Sequence, residues 1–89
     1  MARPALSFGQ LRQLLFDLGF TETVAPKEFI GFRHEETDTD IFLPIYKPHQ
    51  RVAPHHLMMS RVQLDGKGIL DADEFDRRVA SASVKHSAS

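Results

Sequence analysis

Residues 20–44 read FTETVAPKEFIGFRHEETDTDIFLP, and this stretch decides the fold. It holds three short runs rich in aromatic and β-branched residues, separated by two turn signals. Phe20 to Val24 alternates in the manner of a strand, and Pro26-Lys27 reads as a turn. Phe29 to His34 predicts a second strand, with Phe29, Ile30 and Phe32 supplying its bulk. Glu35 to Thr39 is a polar turn rich in Asp and Thr. Asp40 to Pro44 contains Ile41, Phe42 and Leu43, an unbroken apolar run that predicts a strand buried on both faces or nearly so. Pro44 has no N–H to give a ladder, so the strand ends near it. Connections this short cannot join parallel strands, so the three runs form an antiparallel meander.

The flanks supply helices. On the N-terminal side, Ser7 and Gln10 have the spacing of a capping box, with Leu6 and Leu11 placed for a hydrophobic staple. Phe8, Leu11, Leu14, Leu15 and Leu18 recur at helical spacing and make one apolar face. Gly19 stands where a left-handed residue closes a helix. On the C-terminal side, Ile45 to Ala53 reads as a loop and Pro54 as the first residue of a helix over about His55 to Leu64. Asp65-Gly66-Lys67-Gly68 ends that helix. Asp71 and Glu74 repeat the capping-box spacing, and Phe75 and Val79 share a face of a last helix. Met1 to Leu6 reads as a disordered lead and Ala80 to Ser89 as a flexible tail. The expectation is one α+β domain over 7–79, of order α-β-β-β-α-α, with helices packed on one face of a three-stranded antiparallel sheet.

With 89 residues there is room for one modest core. Cysteine is absent, which excludes disulfides and Cys-based metal sites. The first ten residues hold no apolar signal segment, and no run approaches the length of a membrane span. A soluble cytoplasmic protein without membrane contact is expected. The net charge of −1 provides no overall field for nucleic acid, so RNA binding would need a local basic patch.

Leu11 to Phe20, Phe32-Arg33-His34, Ile41 to Pro44, Val52 to Leu64 and Gly68 to Arg77 follow one another in an order that resembles the HicA (YcfA-like) family of small toxins. The resemblance spans residues 7–79. It implies a fold like that of double-stranded-RNA-binding domains, an activity as a metal-independent messenger-RNA endonuclease, and silencing by a HicB-like antitoxin. The family's catalytic histidine lies in a Gly-Ser-His motif at the start of the second strand. Here Lys27-Glu28-Phe29 occupies that motif, so Phe29 stands at the histidine position. No histidine occurs between Met1 and Arg33 to replace it. A phenyl ring cannot move the proton of a 2′-hydroxyl or of a leaving group. The expectation is therefore a divergent HicA-like domain without nuclease activity, acting as a protein-interaction module. Its partner would be a HicB-like antitoxin, another protein or a second copy of the chain.

The alternative is a toxin that binds or cleaves RNA. Its residues would be Arg33 and His34, with His34 as a replacement acid–base, and the basic stretch Lys47, His49, Arg51, His55 and His56, which contains no Asp or Glu. Each has a plainer reading: Arg33 and His34 as an exposed strand end offset by Glu35 and Glu36, and the basic stretch as a solvated loop. Adjacent His55 and His56 point about 100° apart on a helix and cannot easily share one metal ion. Gln63 to Phe75 superficially resembles a degenerate calcium-binding EF-hand loop, with Lys67 at a ligand position, and helix capping explains Asp71 and Glu74 without calcium. No cofactor and no metal are expected. A structural module is the remaining reading.

Overall fold

The computed structural model describes residues 6–88, with side chains through residue 82. The first helix, α1 (Phe8–Asp17), opens on the capping box: the Ser7 hydroxyl accepts from the Gln10 N–H, and the Gln10 side chain accepts from the Ser7 N–H. Leu6 and Leu11 are both buried in the core, as a staple requires. Two more N–H groups of the first turn, those of Phe8 and Gly9, donate to the carbonyls of Gln50 and Pro48 in a distant loop. The helix closes in a Schellman motif. Gly19 takes φ +99°, its N–H donates to Phe16, and the Phe20 N–H donates to Leu15.

The meander follows as β1 (Thr21–Thr23), β2 (Phe29–His34) and β3 (Thr39–Pro44), in the order β1-β2-β3, both pairs antiparallel. A 3₁₀ turn, Glu35–Thr37, and Asp38 at φ +53° join β2 to β3. Phe32 lies opposite Ile41, and Ile30 opposite Leu43. These side chains face the helices, and Phe32, Ile41 and Leu43 have no exposed surface. Burying a side chain of this size is worth about 1.5–3 kcal/mol.

Burial along β3 alternates residue by residue, which corrects the expectation of a strand covered on both faces. Phe42 points the other way from Ile41 and Leu43 and is 48% exposed. The sheet is covered on one side only, because all three helices lie on the Phe32 side.

Pro54 is the first residue of α2 (Pro54–Gly66), which also ends in a Schellman motif, with Gly68 at φ +70° and the Ile69 N–H on the Leu64 carbonyl. Asp71 Oδ1 accepts from the Glu74 N–H and starts α3 (Ala72–Ala88). Phe75 and Val79 are buried. The helix continues beyond Val79, where the sequence reading ended the domain. Ala is the strongest helix former, and the carboxylates of Asp73 and Glu74 in the first turn favour the helix dipole. Ala82 packs against the core, and its carbonyl lies 3.4 Å from the Gln10 side-chain amide. The expected lead falls on residues 1–5, outside the described residues, apart from Leu6, which is core.

Candidate functional site

Three places bring together residues that the sequence singles out. The first is the end of β2, where strand alternation sends Arg33 and His34 to opposite faces of the sheet. His34 points inward and is 7% exposed, which corrects its reading as an exposed strand end. Its ring is held at both nitrogens. Nε2 donates to the Leu18 carbonyl at 3.1 Å, because a carbonyl can only accept. Nδ1 lies within hydrogen-bond distance of the Thr37 hydroxyl, at 2.9 Å. The Thr39 hydroxyl lies 2.8 Å from that of Thr37 and completes the chain. Phe20 packs against the ring with centroids 5.0 Å apart. The imidazole therefore ties α1 to the β2–β3 turn, and it has no nitrogen to offer a ligand on the open face.

Arg33 lies on that open face. Its guanidinium reaches Glu35 at 2.9 Å, Asp40 at 2.8 Å, and Asp38. These bonds push its pKa up, and Arg33 holds the Asp38 carboxyl below the usual carboxylate range. One cation among three carboxylates leaves this end of the face acidic. Glu36, expected to offset the pair, is in no ion pair among the described residues, whereas Asp38 and Asp40 are, because the turn folds them back over Arg33.

The second place is the other end of the same face. Phe29 is 47% exposed and sits one strand from Phe42. The Phe42 ring lies over Gly31, so closely that a Cβ there would meet it at 3.3 Å. Val24 and Ile45 are also exposed at this end of the sheet, where they line, with Glu22, Thr23, Phe29 and Ile30, an open depression of about 450 Å³. The face therefore runs from an apolar end to an acidic end.

The third place is the loop after β3. Lys47, His49, Arg51 and His55 are all exposed, and none of them forms an ion pair with another described residue. His56 is different. The Tyr46 hydroxyl accepts from the Ala53 N–H at 3.1 Å and is hydrogen-bonded to His56 Nδ1 at 2.6 Å. Partial burial, and then the neighbouring His55, push the His56 pKa down. His56 is thus a neutral wedge that fixes Tyr46 and the start of α2, while the other four form the basic surface. The carbonyls of Pro48 and Gln50 in this loop cap α1, and with Ser7 they use the first-turn N–H groups of Phe8, Gly9 and Gln10 that would favour an anion.

The EF-hand positions do not form a loop. Gln63 and Asp65 lie within α2, Asp71 caps α3, and the Glu74 carboxylate is engaged by Arg77 and Arg78. Among the described residues no group of three His, Cys, Asp or Glu side chains is gathered as a metal site. No helix among them is long and apolar enough to cross a membrane.

Sequence reasoning missed Tyr46, the carboxylate cage of Arg33 and the exposure of Phe42. The last was legible: Ile41 and Leu43 at period two send Phe42 to the opposite face. The cage needed the cross-strand register, in which Arg33 faces Asp40. Compared with family models, with curated proteins and with solved structures, the chain matches none.

Proposed function

We propose that the chain is a divergent HicA-like domain without nuclease activity that acts as a protein-interaction module through the open face and free edge of its sheet. The observation that carries this is the exposure of Phe29 and Phe42 on a face where Arg33 is engaged by three carboxylates. A face that is apolar at one end and acidic at the other favours a protein surface and repels phosphate. The loss of an acid–base group at Phe29, and the bonding of both His34 nitrogens, support the absence of cleavage.

A photocrosslinking residue placed at Phe42, and separately at exposed Asp73 on α3, tests this in cells. Position 42 should capture protein and position 73 should not. Capture of RNA from position 42, or of nothing, would end the proposal.

A second reading has its own observation. The exposed cations Lys47 and Arg51, with His49 and His55, make the basic loop the place where an RNA backbone would lie. Salt-sensitive RNA binding by the purified protein that is lost in Lys47→Ala/Arg51→Ala would establish it.

A further inference from the structure

The outer side of β3 carries unused backbone groups. In an antiparallel ladder the N–H and C=O of one residue point to the same side, and alternate residues point to opposite sides. The Ile45 N–H donates to the Glu28 carbonyl across the pair. Leu43, Ile41 and Thr39 therefore also face β2, and Asp40, Phe42 and Pro44 direct their backbone groups outward. This is why a proline is tolerated within the strand: its missing N–H is on the free side. β3 is six residues long, twice the length of the opposite edge β1, and no described strand lies beyond it.

Charge along the chain is polarised about this strand. Glu35, Glu36, Asp38 and Asp40 lie before or at its start. Lys47, His49 and Arg51 follow its end, with no acid among residues 47–51. A second β3 laid parallel would set acid beside acid. Laid antiparallel, the acidic turn of one copy meets the basic loop of the other. The register is also constrained. Centred on Phe42, it places Phe42 opposite Phe42 and Asp40 opposite Pro44, so no two like charges face each other. The Phe42 N–H and C=O then exchange between the copies, and each Asp40 N–H meets the other Pro44 carbonyl. Shifted so that Asp40 faces Phe42, the pairing sets a carboxylate against a phenyl ring on each side.

We infer that the β3 edge binds a second copy of this chain, antiparallel and centred on Phe42, so that two three-stranded sheets join into one. This rests on the docking proposal above and names its partner. The acidic-to-basic complementarity selects a second copy over an unrelated strand, because both halves of it belong to this chain.

The absence of cysteine makes the register directly testable. Residues opposite each other at a hydrogen-bonded site have Cα atoms about 5.5 Å apart, within the range a disulfide spans. A strand-edge pairing is small, so sedimentation is run at high concentration, on the order of 0.3 mM. The expected result is a species of twice the 10.1 kDa chain mass. Phe42→Cys should oxidise to a covalent dimer, whereas Glu22→Cys on the β1 edge should stay monomeric under the same oxidant. Phe42→Lys, which places two cations opposite each other at a half-exposed site, should weaken association at least tenfold while leaving the circular dichroism spectrum unchanged. A monomer at that concentration with no Phe42→Cys disulfide overturns the inference, as does a dimer linked through Glu22→Cys or through neither position. The two proposals fail separately: if the chain is monomeric but position 42 crosslinks a different protein, the docking proposal survives and the second copy does not.

Discussion

The His34 imidazole donates to the Leu18 carbonyl at 3.1 Å and so joins the residue that caps α1 to the last residue of β2. These residues are sixteen apart in the chain. The bond seats the helix on the sheet beside the Schellman turn, where a Cβ on Gly19 would meet the ring at 3.4 Å.

His34→Ala should therefore destabilise the fold without touching the open face. A buried acceptor left without its donor costs about 1–3 kcal/mol, and the emptied space beside Phe20 adds to that. The expected loss in urea unfolding is about 2–4 kcal/mol. A change under about 0.5 kcal/mol would place His34 among ordinary surface residues and remove its structural role.

Stability should depend on pH through His56. Its folded pKa lies below the ordinary 6.5, so between the two values the unfolded chain binds more protons than the folded one. Its contribution is fully present above pH 6.5, shrinks as pH falls from there through the folded value, and is constant again below it. Comparing urea midpoints of the native chain and His56→Gln across pH 4–8 isolates this slope. The two curves should run parallel above pH 7 and converge or cross on acidification.

Gly31 is held to glycine by its neighbours. A Cβ there would meet Thr23 Oγ1 at 2.5 Å and the Phe42 ring at 3.3 Å. Gly31→Ala should cost about 1–3 kcal/mol through forced displacement of these side chains. Adding Thr23→Ala should recover part of the loss, which a double-mutant cycle measures as a coupling between the two sites.

Arg33→Gln should release the three carboxylates that it gathers. Asp38, held low by Arg33, should then titrate nearer the ordinary carboxylate range, as followed by carboxyl carbon chemical shifts in a pH series. With the cation gone, repulsion among Glu35, Asp38 and Asp40 should lower the melting temperature more at low salt than at high salt.

The sequence by itself determined the element order. The Ser7–Gln10 box, Gly19, Pro54 and Gly68 act through contacts a few residues away, so their meaning survives without knowledge of the fold. The three runs of aromatic and β-branched residues and the short turns between them likewise settled an antiparallel meander. Only the tertiary structure decided which of these residues are surface. Arg33 and His34 are neighbours in sequence, yet one is caged by carboxylates on the open face and the other is sealed under α1, because a strand sends successive side chains to opposite sides. Phe42 looked like core beside Ile41 and Leu43 and is half exposed for the same reason. His56 looked like part of a basic patch and is a neutral prop for Tyr46, a partner ten residues away that no local rule selects. Local rules of capping and turn geometry are short-ranged and therefore legible, whereas burial and charge pairing are properties of residues that meet only after the sheet has closed.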